Sequence, residues 1–410
     1  MTKKRYHWSA GAKLDDHSKR KHKILREYLR DYLKTRCAFP KQERFRLAIV
    51  DGFSGAGRYA DGNPGSPIII LEELKDVSIS ANILREMNGF PKITFEIFIA
   101  FNDADPEAVE LLTKNLKPIL AEIYSEAPNL KVNIEKTVQP FEVFYPALKQ
   151  RLQSAEFRNV FFNLDQYGHS DVRIEAISDM MRSFNSVEVL YTFSIQALLA
   201  FLPKSDHELL SAQLQRFSVS LADFGGGLNN VRLLGTAEQL VFKAFQDCAS
   251  FVSPFSIHNP SGWRYWLIHF ANSYRARQVY NDVLHRNSSA QAHFGRSGLN
   301  MLSYNPSDEG QLYLFDEVGR ISAKEQLMQD IPRLIVGFGD SVPVLEFYGS
   351  IYNSTPAHSD DIHAAIIDST EIEVVTPKGN LRRKAETISV EDVLRLPRQG
   401  TLFSLLERKR

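Results

Sequence analysis

A glycine-rich segment, Val50-Asp-Gly-Phe-Ser-Gly-Ala-Gly57, has the residue types and spacing of a cofactor loop. It follows an apolar run typical of a buried strand, and its glycines allow a ligand to approach the backbone N–H groups. A phosphate loop needs Gly-Lys-Ser/Thr and a dinucleotide loop needs Gly-x-Gly-x-x-Gly, and neither pattern is present. An aspartate before spaced glycines suits a cofactor with a cationic amino-acid group, such as S-adenosylmethionine, because the carboxylate can pair with the ammonium. The candidate cofactor-binding residues of the loop are Asp51, Gly52, Phe53, Gly55 and Gly57.

Two other loops place acidic side chains directly after predicted strands. We expect Asp103 to accept both ribose hydroxyls of an adenosyl group, and Asp105 to cap the helix that begins at Pro106. In the third loop, Asp165 can accept a proton or a hydrogen bond from a target amine while Tyr167 stacks on a flat base. The alternative for Tyr167 is an ordinary packed aromatic. Because ligands of open α/β sheets bind at the carboxyl ends of the strands, the three loops should face one crevice.

Alternating strands and helices position these loops and predict a doubly wound α/β sheet with right-handed crossovers and seven strands in all. Apolar runs predict parallel strands at 45–51, 95–102, 130–136, 159–165 and 187–194. Apolar periodicity predicts helices at 17–36, 106–122, 141–153 and 171–184. A hairpin, 252–257 and 263–270 around an Asn-Pro-Ser-Gly turn, closes the sheet. The long interval between Asp51 and Asp103 predicts a helix plus an insertion within 61–92.

A separate C-terminal unit is predicted to be a winged helix-turn-helix domain. Helices at 322–329, 341–350 and 358–367 precede a hairpin of 371–376 and 381–384. The basic hairpin tip suits contact with nucleic-acid phosphates. The candidate nucleic-acid-binding residues are Lys378, Arg382, Arg383 and Lys384. The predicted organisation is a basic helical segment (1–44), a methyltransferase-like domain (45–300, with a helical insertion at about 195–249) and the winged-helix domain (321–410).

The charge of the chain is uneven although the net charge is zero. Residues 1–46 hold 15 Lys/Arg against 5 Asp/Glu, and residues 376–410 hold 9 against 4. The middle of the chain is therefore acidic, with a net charge of −15. Contact with nucleic acid, if made, should be local and made by the two ends. The alternative is that both ends are simply solvated charged surfaces.

Several classes of protein and site are excluded by the composition. The sequence has no run of 18 apolar residues, so it predicts no transmembrane helix. Its first residues contain no apolar segment of the kind found in secretory signals. Cys37 and Cys248 are far apart and predict neither a disulfide framework nor a metal cluster. His17 and His22 are spaced poorly for a metal and fit a solvated helix face. We expect no resident metal, no membrane partner and a cytoplasmic location.

Taken together, the glycine loop, Gly65-Ser-Pro67, the Leu-Asp-Gln-Tyr-Gly loop and the helix containing Lys21-His-Lys23 resemble the three-Cys-motif partner (TcmP) proteins. The resemblance covers roughly residues 8–300. It implies a Rossmann-like class I methyltransferase fold, with a seven-stranded mixed sheet, that binds S-adenosylmethionine. The resemblance further implies a partner that carries a three-cysteine motif and is similar to radical-SAM iron–sulfur proteins. It also implies that Asp51, the loop glycines and Asp103 hold the cofactor, and that Asp165 and Tyr167 belong to the active site.

The leading hypothesis is an S-adenosylmethionine-dependent methyltransferase that acts on nucleic acid or on a component bound to it. Such an enzyme aligns a methyl group with a nucleophile and needs few acid–base residues. The alternative is a non-catalytic recognition subunit of the iron–sulfur partner. A nicotinamide-dependent oxidoreductase is disfavoured because its glycine pattern is missing. Gln166 stands where related amino-methyltransferase motifs have proline, and the aromatic follows Asp165 by two residues rather than three, which disfavours methylation of an amine.

Overall fold

The computed structural model of the protein describes residues 12–166, 171–194, 241–253, 256–258, 264–287, 291–294, 312–314 and 316–397. The chain divides into two compact units, residues 1–292 and 293–410. The predictions for Tyr167, for residues 195–240 of the helical insertion and for the hairpin turn at 259–262 lie outside the described residues. The predicted domain boundaries at 44, 300 and 321 stay predictions.

The first unit alternates helices and strands. In chain order they are α1 (Asp16–Arg36), β1 (Arg44–Asp51), α2 (Ser66–Met87), β2 (Thr94–Asp103), α3 (Pro106–Asn115), α4 (Lys117–Glu126), β3 (Leu130–Val138), α5 (Phe141–Ser154), β4 (Asn159–Leu164), α6 (Ile174–Ser183), β5 (Ser186–Phe193), β6 (Phe251–Ser253), β7 (Ser256–His258), β8 (Arg264–Ala271), α7 (Tyr274–Arg286) and, at the boundary of the unit, β9 (Gln291–Phe294). Among the described residues, no helix is both long enough and apolar enough to span a bilayer.

The strands of this unit form one mixed sheet in the order β3-β2-β1-β4-β5-β8-β7, and β6 also pairs with β8. β1 to β5 are parallel to their neighbours, whereas β8 runs antiparallel to β5 and β7. Most residues of β1, β4 and β5 are buried, because helices cover both faces of a parallel sheet. The order, with antiparallel β8 between β5 and β7, confirms the predicted Rossmann-like methyltransferase fold.

The long segment between Asp51 and Asp103 contains one helix rather than a helix plus an insertion. α2 has 22 residues, begins after Gly65 and has Pro67 in its first turn. Proline is tolerated there because the first N–H groups of a helix have no partner within it. The predicted helix at 106–122 is divided into α3 and α4 around Leu116, since Pro118 lacks the N–H that would continue α3.

Two arginines of α1 pair with a carboxylate inside the first unit. The apolar stripe of this helix is buried, and α1 packs on α2 and α7. Arg26 and Arg30 both bind Glu73 of α2, at N–O distances of 2.8–2.9 Å, and the Glu73 side chain is fully buried. Part of the positive charge that the sequence places on this helix therefore neutralises an internal carboxylate.

The described residues of the second unit form three α-helices and a small antiparallel sheet. In chain order its elements are β10 (Leu312–Leu314), α8 (Glu317–Gly337), β11 (Ser341–Pro343), α9 (Val344–Ile351), α10 (Ser359–Asp368), β12 (Glu373–Val375), a 3₁₀ turn (Ala385–Thr387) and β13 (Val393–Arg395). The sheet order is β11-β13-β12. A helix, a strand, two helices and two paired strands follow one another among the described residues, and the winged-helix assignment stays a prediction.

Two details of that prediction are wrong. Residues 381–384 do not form the second strand of the hairpin, because β12 pairs with β13, and only Leu381 bridges back to Val375. The basic residues 382–384 therefore belong to a long wing, residues 376–392, between the two strands. The predicted helix at 341–350 begins with β11, whose Ser341–Pro343 pair with β13, and Pro343 then precedes α9.

We expect Glu73→Gln to lower the free energy of unfolding by about 2–4 kcal/mol, because two arginines lose their shared buried carboxylate. Urea denaturation measures this change. Glu72→Gln is the matched control, since Glu72 is 30% exposed and binds only Arg26, and it should cost less than about 1 kcal/mol. Equal losses in both variants would contradict a special role for the buried carboxylate.

Candidate functional site

The carboxyl edge of the sheet brings the three predicted loops together. β1 lies between β2 and β4, so Asp51, Asp103 and Asp165 end or follow three adjacent strands. Asp51 lies beside Asn163 in the register of β1 with β4. In doubly wound sheets this edge is where ligands bind.

Backbone hydrogen bonds hold the glycine loop against both neighbouring strands. The Gly52 N–H donates to the Asn163 carbonyl at 3.0 Å, and the Ser54 N–H donates to the Asn102 carbonyl at 2.9 Å. The Gly55 N–H donates to Oδ2 of Asp103 at 2.9 Å. The loop is therefore fixed before any ligand binds.

Two glycines are required by the space around the loop. A Cβ atom on Gly52 would lie 2.8 Å from the Phe141 ring and 2.9 Å from a Leu164 methyl group, both closer than real contacts allow. Gly57 has a φ of +76°, and a Cβ there would lie 2.7 Å from Leu112. Packing behind the loop therefore requires glycine at these positions.

Asp51 is fully buried at the start of the loop. Its Oδ1 accepts a 3.2 Å hydrogen bond from the Asn163 amide, and its Oδ2 has no hydrogen-bond partner. Burial raises the pKa of Asp51 to about 7, although the Ser66 hydroxyl and the Asn163 amide both act to lower it. A cationic group placed at Oδ2 would offset the free-energy cost of burying the charged carboxylate. The residue therefore fits an ammonium ligand.

Asp103 holds the turn after β2 and keeps acceptor capacity. Its Oδ1 accepts from the Asp105 N–H and its Oδ2 from the Gly55 N–H, each at 2.9 Å. Burial raises the pKa of Asp103, and these backbone hydrogen bonds oppose the rise. A carboxylate has about four lone-pair positions, so two remain for ribose hydroxyls. Asp105 caps α3 by accepting from the Glu107 N–H, which confirms its predicted role.

An aromatic contact and a buried asparagine hold the loop in place. Phe53 stacks on Phe141, with ring centroids 5.5 Å apart. Asn102, which the sequence did not single out, is buried and donates to the carbonyls of Gly52 and Gln139 at 3.2 and 3.0 Å. Its Oδ1 accepts from the Thr137 hydroxyl. The sequence signal that could have identified Asn102 was an asparagine at the end of a buried strand that is not the N-cap of a helix.

Asp165 follows β4 and binds a lysine that the sequence analysis did not propose for the site. Lys21 of α1 lies 2.5 and 2.8 Å from the two carboxylate oxygens of Asp165. Gln166, next in the chain, is buried and folds inward to donate to the Tyr191 hydroxyl at 2.6 Å. Tyr167 lies outside the described residues.

The wing of the second unit does not use its four predicted basic residues alike. Lys378, Arg383 and Lys384 are exposed. Arg382 instead pairs through two nitrogens with Asp392, whose side chain is fully buried, at 3.0 and 3.1 Å. Arg382 is thus committed to the structure of the wing.

Cys37 and Cys248 are both buried. Burial raises the pKa of the Cys37 thiol to about 12, which makes it a poor nucleophile.

The burial of Asp51 predicts a measurable effect of pH on stability. The native protein keeps the Asp51 proton up to about pH 7, whereas the unfolded chain releases it near its ordinary pKa of 3.8. Stability must therefore fall as pH rises between these values. Asp51→Asn removes this fall, so its stability relative to the wild type should increase by about 2 kcal/mol from pH 5 to pH 7 in urea denaturation. Exposed Asp61, whose pKa is lowered by hydrogen bonds from Asn63, provides the control, and Asp61→Asn should show no such change.

No protein-family model matches the chain, and no curated protein matches it. Among solved structures, a protein described as an rRNA methylase from Clostridium thermocellum is similar, with 11% sequence identity, coverage of 63% of this chain and 100% of its own, and a TM-score of 0.25. A protein described as an O-methyltransferase from Klebsiella pneumoniae has 11% identity, coverage of 65% and 95%, and a TM-score of 0.25. The YcgJ protein of Bacillus subtilis has 12% identity, coverage of 60% and 97%, and a TM-score of 0.20. At such low TM-scores these similarities carry no argument, and the methyltransferase-like fold rests on the strand order of the chain itself.

Proposed function

We propose that the protein is an S-adenosylmethionine-dependent methyltransferase. The observation that carries this proposal is the buried Asp51, whose Oδ2 has no hydrogen-bond partner and lies beside a glycine loop already fixed to Asp103. Asp51 would hold the ammonium group, the loop from Gly52 to Gly57 the amino-acid chain, and Asp103 the ribose hydroxyls. When bound, the cofactor supplies a methyl group on a sulfonium for attack by a nucleophile.

The resemblance to the TcmP proteins supports a finer proposal about the partner. We infer that the chain works with an iron–sulfur protein that bears a three-cysteine motif, in the cytoplasm, where buried thiols such as Cys37 and Cys248 stay reduced. Co-elution of the two purified proteins in size-exclusion chromatography tests this. The non-catalytic alternative keeps the same partner and the same cofactor loop, but no methyl transfer.

The exposed wing supports nucleic acid as the second ligand. Lys378, Arg383 and Lys384 can each approach a phosphate, because none is buried in an ion pair of the described structure. Helix α10, which would be the recognition helix if this unit is a winged helix, carries Asp360, Asp361 and Asp368 and no Lys or Arg. We therefore propose that the wing, rather than α10, contacts the phosphates.

The cofactor proposal predicts micromolar affinity for S-adenosylmethionine in isothermal titration calorimetry. Asp103→Ala should weaken binding at least tenfold, because the ribose acceptor and the anchor of the Gly55 N–H are both lost. Asp105→Ala is the matched control two residues away, and it should cost the helix cap about 1 kcal/mol of stability without changing affinity. Absence of binding by the wild type would contradict the proposal.

The wing proposal predicts a change in salt dependence. Joint Lys378→Ala, Arg383→Ala and Lys384→Ala should weaken binding to duplex DNA and reduce the slope of log affinity against log salt by up to about 3, at about 0.9 per phosphate contact. Fluorescence anisotropy across a salt series measures both. The control removes the same charge from exposed lysines of the first unit: Lys41→Ala, Lys92→Ala and Lys114→Ala. An unchanged slope in the wing variant would end the proposal.

A further inference from the structure

Lys21 and Asp165 form an ion pair at the same sheet edge as the proposed cofactor loop. The Lys21 Nζ lies 2.5 Å from Oδ1 and 2.8 Å from Oδ2 of Asp165, and the side chains are 10% and 25% exposed. The lysine comes from α1 and is 144 residues from its partner. A positive charge is thus fixed beside the loop where an acceptor should bind.

The pair decides what Asp165 can do. Burial would raise the pKa of Asp165, but the charge and hydrogen bonds of Lys21 outweigh burial and hold the pKa below its usual range. The carboxylate therefore stays ionised, and an ammonium engages both of its oxygens. Methylation of an amine needs an acceptor for the amine hydrogens and for the positive charge that develops on nitrogen. Lys21 already compensates the charge of Asp165, so this carboxylate is a weaker partner for a nitrogen that becomes positive, although it keeps lone pairs for a neutral donor.

The neighbouring residue is unavailable to an amine. The Oε1 atom of Gln166 accepts from the backbone N–H groups of Asp171 and Val172, each at 3.0 Å. Its amide nitrogen donates to the Tyr191 hydroxyl. The side chain therefore ties Gln166 to Asp171 and Val172 and does not offer its carbonyl oxygen to the crevice.

We propose that the methyl acceptor is a hydroxyl oxygen, and that Lys21 contacts it. This inference rests on the proposed function. An ammonium group has three N–H donors. Two directions are used by the Asp165 oxygens, and no acceptor among the described residues takes the third. The third donor can bind the oxygen of the acceptor.

The charge of Lys21 favours oxygen over nitrogen as the nucleophile. In the transfer, the acceptor oxygen forms an O–CH3 bond as the S–CH3 bond breaks, the sulfonium becomes a neutral thioether, and the hydroxyl proton passes to water. A cation beside the oxygen lowers the pKa of the hydroxyl and stabilises its developing negative charge. The same cation repels a nitrogen that becomes positive during the transfer.

Aromatic rings lie on one side of the Lys21 ammonium. The Lys21 Nζ lies 6.0 Å from the centre of the Tyr265 ring, and His17 stacks on that ring at 4.2 Å. Burial lowers the pKa of the adjacent His22 to about 4, despite the opposing charge of Asp165, so His22 adds no positive charge near pH 7. An aromatic hydroxyl is therefore a suitable small probe of this crevice.

Phenol and aniline, which differ chiefly in the acceptor atom, test the inference. The full chain is incubated with S-adenosylmethionine and equal concentrations of both probes, and anisole and N-methylaniline are measured by mass spectrometry. We expect an excess of anisole from the wild type. The ratio of ether to amine should fall at least tenfold in Lys21→Gln and stay within threefold of the wild type in Lys21→Arg, which keeps the cation.

Three controls make the result decisive. Lys23→Gln changes an exposed lysine of the same helix and should leave the ratio unchanged. The Lys21→Gln variant leaves the Asp165 carboxylate without its cation and can unfold for that reason alone. If it unfolds, the double variant Lys21→Gln/Asp165→Asn, in which both charges are removed, takes its place. No excess of anisole from the wild type, or an unchanged ratio in the neutral variants, overturns the inference. Calorimetric binding of S-adenosylmethionine in the same samples separates the outcomes, since loss of binding in the wild type would instead overturn the proposed function.

Discussion

The packing of α1 against the rest of the first unit is the interaction on which the candidate site depends. Besides its apolar stripe, α1 brings partners to three internal carboxylates: Arg26 and Arg30 to Glu73, Lys21 to Asp165, and the Tyr28 hydroxyl to Glu188. The Tyr28 hydroxyl also lies 2.8 Å from Nε2 of buried His269 on β8. A buried carboxylate without a partner costs several kcal/mol, so α1 has one acceptable position along its axis. That position places Lys21 at the carboxyl edge of the sheet.

Three aspartates at this edge avoid the cost of burial in three different ways, and their chemistry differs accordingly. Asp51 can keep its proton, Asp103 accepts backbone N–H groups, and Asp165 binds a lysine. Of the three, Asp51 gains most from a cationic ligand, because a cation would replace its proton. Asp165 gains least, because its charge is already compensated. In the proposed function, it is the environment of each carboxylate, rather than its type, that would separate the cofactor side of the crevice from the acceptor side.

Local patterns were enough to predict the sheet and to place a glycine loop at its carboxyl edge. The buried apolar runs at β1, β2, β4 and β5 each end in a polar loop, so strand order and loop position followed from chain order and crossover rules. The partnership of Lys21 with Asp165 could not follow, because the two residues are far apart in sequence and a lysine on a basic helix looks like a solvated residue. The second hairpin strand was misplaced for a related reason. Residues 381–384 are close to β12, but the apolar Val393-Leu394 fill the sheet position instead.

The two basic ends of the chain both divide their charges between internal pairs and the surface. In α1, Lys21, Arg26 and Arg30 compensate carboxylates of the first unit, whereas Lys19, Lys23 and Lys34 are exposed. In the wing, Arg382 is used in the same internal way, while Lys378, Arg383 and Lys384 remain exposed beside an acidic α10. In α10, Asp361 and Asp368 are paired with Arg320 and Lys324 of α8, and the helix has no Lys or Arg of its own to place on a phosphate. The proposed contact with nucleic acid would therefore use a few phosphates at the wing and carry little sequence information of its own.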